Sequence, residues 1–397
     1  MVQLNVWKAK LKRFPFSNGR PKGTPTVVFL DGTRWAAFHQ LSPQLRRAGL
    51  RTIRVTTGNS SRSWLTSRLV YDRCVFLSSL GAPELLRKVL NQENVVDVQF
   101  VETLSELMEL VVDVLSDEVA NRVRHRLLMM DKWKASVRFR ENGIQTPDTV
   151  TFNDATPEQA VEEFGLPVVV KDRTGCGGSG VAICGDISEL RRAHADFSSR
   201  GSRSYYERFV DGEKLNYAAV YSSDGLEQEL AYQVTRWVPP VGTGIEVVTI
   251  EDPSLISVGR IAVEVSNCLG FMNMDVIRDA EGSYWLIDFN ARAFGGGTNF
   301  LLADLDLSQG YLRSIHWRSA TPERQRPDTG IVVEIFPTCL IDAMRTGSYA
   351  VVARSFVKSI RPYIRGLGFR YAMSEALTTI DTTRRFRNDP TLWEHRY

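Results

Sequence analysis

Short apolar runs alternate with helical stripes along the first part of the chain. Val27-Val-Phe-Leu30 reads as a buried strand and Asp31-Gly32 as a turn; a helix runs to Arg47 with Gly49 as its stop, and Thr52-Ile-Arg-Val55 is the next strand. Val95 to Val101 is another strand. After it, Thr103-Leu-Ser-Glu106 reads as a capping box opening a helix whose stripe is Leu104, Leu107, Met108, Val111 and Leu115. Strands alternating with helices predict an open parallel sheet, an α/β arrangement. The single glycine of its first turn excludes a dinucleotide fingerprint there.

The pattern then becomes mixed, α+β in character. Asp131 caps a helix carrying Lys132 and Trp133, Gly143 ends it, and Thr146-Pro147 forbids its continuation. Thr156-Pro-Glu-Gln159 opens another helix with a capping box and an early proline. From Pro167 to Asn290 strands dominate, interrupted by one helix that Asp252-Pro253 opens and Gly270 closes. Ser319 to Asp328 is polar and proline-bearing, a linker in this reading.

Two later strands carry the clearest chemistry, Phe271-Met-Asn-Met-Asp275 and Tyr284-Trp-Leu-Ile-Asp288-Phe-Asn290, followed by Ala291 and Arg292. Alternation puts Asn273 and Asp275 on one face of the first strand, and Asp288 and Asn290 on one face of the second. Met272, Met274, Val276, Trp285, Ile287 and Phe289 would then face a core. Four oxygen-bearing groups suit magnesium, which usually travels with nucleotide phosphates. A half-exposed hairpin with ordinary polar residues on its wet side has the same pattern.

Upstream, the strand Leu166-Pro-Val-Val-Val-Lys171 leads into Gly175-Cys-Gly177-Gly178-Ser179-Gly180, and Val181-Ala-Ile-Cys184 follows. These glycines satisfy GxGxxG, but a β-like run follows them, so no helix start is there to hold a pyrophosphate. GK[ST] is missing too, which excludes a P-loop. A strand, a glycine flap and a second strand remain, with backbone amides able to fold over phosphates and Lys171 at the base. A glycine-rich hairpin with an incidental lysine has the same letters. Glu207 and Glu213 flank a turn at Gly212, spaced for a backbone edge to meet adenine and for an acceptor to meet ribose; alone they are a weak signal.

Composition narrows the classes. A formal charge of +3 over 397 residues gives no field that argues for nucleic acid or an anionic membrane. The five cysteines are scattered without a CxxC pair, which suits a reducing cytoplasm, and no apolar run approaches the length of a membrane span. The five histidines show no zinc spacing. Residues 1–23 form a basic arm, yet Leu4, Trp7, Leu11 and Phe14 are interleaved with its charges, as in a solvated or partner-packed segment.

Taken in order, Asp131-Lys132, Val-Val-Val-Lys171 with its glycine loop, Glu207 to Glu213, Asn273-Met-Asp275 and Asp288-Phe-Asn290-Ala-Arg292 resemble the ATP-grasp superfamily, in its carbamoyl-phosphate-synthetase-like and amino-acid-ligase branch. The resemblance implies a βα domain at 24–117, then an ATP-grasp fold at 118–318 whose two α+β subdomains clamp ATP, with the lid at about 150–210, and a C-terminal extension at 319–397. It implies ATP and small-molecule partners, a carboxylate and an amine, joined through an acyl phosphate with release of ADP and phosphate. A homodimer is compatible with it. Lys132 and Lys171 would contact phosphates under the flap of Gly177, Gly178, Ser179 and Gly180, with Glu207, Arg208 and Phe209 at the adenine and Glu213 at the ribose. Asp275, Asp288 and Asn290 would hold Mg2+, commonly two ions, and Arg292 would stabilise the transferring phosphoryl group. Gly296 and Gly297 are candidates to offer amides to the acyl phosphate, and Arg236 and Asn299 to meet the acid substrate. The family usually has glutamate where Asp288 stands, a side chain one methylene longer. A nucleotide-binding regulatory or scaffold protein that keeps the fold without turnover is the alternative.

Overall fold

The computed structural model describes residues 20–32, 36–56, 69–77, 83–175, 180–201, 203–237, 244–294, 305–317 and 327–335, with isolated positions elsewhere. The chain begins with β1 (Pro25–Asp31), α1 (Ala36–Arg47), β2 (Arg51–Thr56), β3 (Arg73–Phe76), α2 (Pro83–Asn91) and β4 (Asn94–Phe100). The strands form a parallel sheet in the order β3-β2-β1-β4. β1 is buried along nearly its whole length, as a central parallel strand covered on both faces must be.

The capped helix expected from Thr103 does not form. A 3-10 turn over Glu102–Leu104 runs directly into the short helix α3 (Ser105–Glu109), and a second 3-10 turn covers Val112–Val114. The polar groups have other partners: the Ser105 hydroxyl donates to the Glu102 carbonyl at 2.7 Å, and Arg203 takes the Glu106 carboxylate at 2.9 Å. A box that needs Glu106 to reach back therefore has no acid to close it.

Helix α4 (Asp117–Met130) meets α5 (Lys132–Glu141) at Asp131, whose carboxylate accepts the Lys134 amide at 3.1 Å. Next come β5 (Thr149–Thr151), α6 (Pro157–Phe164), β6 (Val168–Asp172), β7 (Val181–Cys184), α7 (Ile187–Ser199) and β8 (Ser204–Arg208). Their sheet, β5-β8-β6-β7, is antiparallel and closes a separate small core around Val168, Val170, Leu190, Phe197 and Tyr206. The reading of this region as strands alone missed α7. Its signal stood in the letters, since Asp186 caps it by accepting the Glu189 amide at 2.8 Å.

The remaining elements are β9 (Glu213–Ser222), β10 (Gly225–Trp237), β11 (Gly244–Ile250), α8 (Pro253–Ser266), β12 (Gly270–Arg278), β13 (Tyr284–Asn290), α9 (Leu307–Ser314) and β14 (Val332–Glu334). They build an antiparallel sheet in the order β13-β12-β9-β10-β11-β14. On one face Leu215, Tyr217, Met272, Met274 and Phe289 pack with Phe139 of α5 and with Leu255, Ala262 and Val263 of α8. From the other face Ala218, Val220 and Phe271 join the core of the N-terminal sheet. Helix α8 stops at Asn267, which adopts the left-handed conformation with φ 54°, before Gly270 is reached; Asn tolerates that conformation. β14 pairs with β11, so residues 332–334 add an edge strand to this sheet. Among the described residues no helix is long and apolar enough to cross a membrane.

Candidate active site

Register gathers the acids. In the antiparallel pair β12/β13, Asn273 lies opposite Asn290 and Asp275 opposite Asp288, while Asp275 lies opposite Asn216 of β9 on its other side. Directly opposed residues share a face, so Asn216, Asp275 and Asp288 form a polar row across three strands. The partner face is apolar as expected at Met272, Met274, Val276 and Phe289. It is not so at Ile287 and Trp285. A β-bulge leaves Ile287 unpaired between Asp288, opposite Asp275, and Leu286, opposite Val276, and Leu286 takes the core position. The bulge also leaves the Ile287 carbonyl to another partner: Lys171 donates to it at 2.8 Å.

Cations from separate elements converge on these strands. Lys132, the first residue of α5, forms an ion pair with Asp288. Lys171, at the end of β6, contacts Glu207 of β8 at 2.6 Å. Arg292 donates to Asn290 Oδ1 at 3.0 Å and to Glu102 Oε1 at 2.6 Å. Burial pushes the Asp288 carboxyl up, and the nearby Lys132 and Lys171 ammoniums more than reverse this, leaving it below the ordinary range. Burial would strip the Lys132 proton, but Asp288 and then Glu102 reverse that, and its ammonium is held above its usual value. Glu207 goes the other way, because burial outweighs the pull of Lys171 and leaves its carboxyl raised.

Whether these residues suit magnesium is answered by the donors. Among the described residues no three His, Cys, Asp or Glu side chains gather into a cage. A nucleotide-borne magnesium needs none, since one or two carboxylates complete a shell made mostly of phosphate oxygens and water. Asp275 and Asp288 supply two carboxylates and Asn290 an amide. Asn216 Oδ1, buried and without a hydrogen-bond partner, is an acceptor that a cation or its water would satisfy.

Other expected residues are distributed more widely. Glu213, at the start of β9, is ion-paired with Arg278 and accepts from Gln233. Arg208 places its guanidinium 2.9 Å from Asp148 and donates its backbone amide to the Asp148 carbonyl, and Phe209 follows directly after β8. Glu207 faces Lys171 and so acts on that lysine. Arg236 is exposed near the end of β10, opposite Glu246 and separated from β12 by β9. Gly180 closes the neck of the flap, where a Cβ would lie 2.8 Å from the Gly175 α-carbon. Gly177, Gly178, Ser179, Gly296, Gly297 and Asn299 lie outside the described residues. Sequence reading missed Asn216, Lys214 and Glu102. Lys214, 3.5 Å from Asp275, and Asn216 carry a period-two signal just after Glu213, whereas nothing local marks Glu102.

Residues 129–296 match the family description of the ATP-grasp domain. A D-alanine–D-alanine ligase of Chromohalobacter salexigens is 31% identical over 177 residues, which cover 41% of this chain and 55% of that enzyme. The chain thus spans little more than half the length of the curated relatives it matches. Among solved structures, the carboxyaminoimidazole ribonucleotide synthase of Aspergillus clavatus complexed with ATP superposes with a TM-score of 0.64 at 15% identity, covering 78% of this chain and 80% of that one. An L-amino acid ligase of Bacillus licheniformis gives 0.55 at 16%, covering 75% of each chain. Sequence and architecture agree on an ATP-grasp domain at residues 129–296 of this chain.

Proposed function

We propose that the protein is an ATP-dependent carboxylate–amine ligase. The observation that carries this reading is the register that sets Asp275 opposite Asp288, with Lys132 and Lys171 converging on the second strand. Relatives that act as ligases, D-alanine–D-alanine ligase and phosphoribosylamine–glycine ligase among them, support it.

A carboxylate resists attack by an amine because oxide is a hopeless leaving group. Phosphorylation removes that obstacle: a carboxylate oxygen bonds to the γ-phosphorus of ATP, the bond to the β–γ bridging oxygen breaks, and ADP leaves. The amine nitrogen then bonds to the acyl carbon, phosphate departs, and the nitrogen gives up a proton. Such a transfer asks for position and charge neutralisation more than for covalent help. Asp275, Asp288 and Asn290 would hold magnesium, which when bound neutralises phosphate charge. Lys171, fixed by Glu207 and the Ile287 carbonyl, would bring its positive charge to the phosphates. Lys132 would turn from Asp288 toward phosphate oxygens, and Arg292 would face the transferring group.

The test is a panel of amino acids and small acids with ATP, magnesium and hydroxylamine, scoring hydroxamate and ADP together. Matched hydroxamate and ADP are expected for at least one acid. AMP and pyrophosphate in their place would refute the acyl-phosphate step.

A further inference from the structure

The N-terminal sheet delivers one carboxylate to the ATP-grasp strands. Glu102 stands just beyond β4, at the carboxyl edge of the parallel sheet, and is 1% exposed. Its Oε1 accepts from Arg292 Nε at 2.6 Å, a contact between residues 190 apart in the chain. The same guanidinium donates through Nη2 to Asn290 Oδ1 at 3.0 Å and through Nη1 to the Ala293 carbonyl at 3.4 Å, so a carboxylate oxygen from the N-terminal domain joins two acceptors of the ATP-grasp domain in fixing its plane. A second bridge between the same two regions runs beside this one, through Gln99. Gln99 Oε1 accepts from the Ala293 amide at 3.2 Å, and Gln99 Nε2 donates to Asp97 at 2.8 Å. Asp97 is held in turn by Arg126 at 2.8 Å and by the Tyr311 hydroxyl at 2.5 Å.

A sealed ion pair is a poor way to gain stability, because desolvating both charges offsets most of their attraction and apolar residues would serve as well. The pair instead fixes direction. Glu102 engages Arg292 through one oxygen, while Oε2 stays buried without a hydrogen-bond partner. We propose that Glu102 is a positioning residue: it holds Arg292 by Nε so that the guanidinium meets the transferring phosphoryl group, which makes the N-terminal domain a working part of the site. The kinetic consequence rests on the ligase reading above; the structural one does not.

The test uses the full chain with Mg-ADP and nitrogen-15 NMR of arginine side chains, Arg292→Lys assigning the Arg292 Nε signal. Glu102→Met, similar in size but lacking the acceptor, should move that signal and release its Hε into fast solvent exchange; Glu102→Gln, which keeps an acceptor, should restore slow exchange. An unchanged signal in Glu102→Met overturns the proposal. In turnover, Glu102→Met should lower kcat about 100-fold with KM for ATP unchanged, Glu102→Gln should recover much of it, and Glu102→Met should cost nothing further in an Arg292→Ala background. Additive losses overturn the proposal as well. If the wild type turns over no acid, the ligase reading fails while the NMR outcome still decides whether Glu102 orients Arg292.

Discussion

The two lysines proposed to meet phosphate are held in opposite ways. Lys171 and Glu207 sit on adjacent strands of the small sheet, with side chains only 7% and 4% exposed. Lys132 and Asp288 bridge a helix start and a strand of the large sheet, and Asp288 keeps 23% of its side chain accessible. The first pair is nearly sealed, with its lysine also bonded across to the Ile287 carbonyl of the large sheet, and the second leaves its acid accessible. The sealed pair carries its lysine as a finished unit. The open pair lets an acid exchange an ammonium for another cation, which a metal ligand must be able to do.

The sharpest way to test that difference is to remove the members proposed to meet the reactants. Asp288→Asn and Lys171→Ala should each lower ADP formation about 100- to 1,000-fold, by loss of charge where the phosphoryl group moves. They should differ in rescue. Raised magnesium should partly restore Asp288→Asn and leave Lys171→Ala unchanged; equal rescue of both would erase the distinction between a metal-facing acid and a fixed lysine.

A stability experiment breaks the comparison from the other side. Glu207→Leu alone leaves a buried ammonium without its acid and should cost about 3–5 kcal/mol in denaturant unfolding, whereas Lys171→Met with Glu207→Leu should be close to neutral. The corresponding changes at Lys132 and Asp288 should show a smaller gap between single and double variants, because water reaches Asp288. A gap of the same size at both pairs would mean that they are equally sealed.

Much of this is legible in the sequence. Alternation reports which residues share a sheet face, so Asn273, Asp275, Asp288 and Asn290 declared themselves, and so did the caps at Asp131, Thr156 and Asp252. Alternation fails where its premise fails: the bulge at Ile287 exchanged that residue for Leu286 in the core and thereby created the carbonyl that Lys171 uses. Partnerships over long separations were illegible for another reason. Lys132 and Asp288 are 156 positions apart and Glu102 and Arg292 190, and no local pattern encodes which carboxylate a cation will find after three sheets have packed. Lys132 and Arg292 were named through the resemblance, while Glu102 has no such marker.

A link joins the two lysine frames. Arg173, just past β6, makes a forked contact with Asp131 at 2.6 to 3.1 Å, accepts the Lys132 amide on its carbonyl at 2.9 Å and lies 4.9 Å from the centre of the Trp133 ring. Arg173→Ala should cost about 1.5 kcal/mol, the lower end for hydrogen bonds to a charged group. It should raise KM for ATP and leave kcat nearly unchanged, since neither lysine loses its own acid. A fall in kcat with constant KM would show that the frames are coupled in the chemical step.

The smallest expected signal is also the most discriminating, because the two acids respond to pH with opposite sign. Asp288 is held below its ordinary value by Lys132 and Lys171 against burial, so its contribution to stability is present above the unfolded carboxylate range and is lost as pH falls through the folded value. Glu207 is held above its ordinary value by burial despite Lys171, so its contribution is fully present below the unfolded range and is lost as pH rises through the folded value. Melting temperatures measured from neutral pH into the acid range should therefore show the wild type losing its advantage over Asp288→Asn and gaining advantage over Glu207→Gln. Parallel slopes in the two comparisons would place both carboxylates in the same environment and remove the physical basis for assigning one to the metal and the other to the lysine.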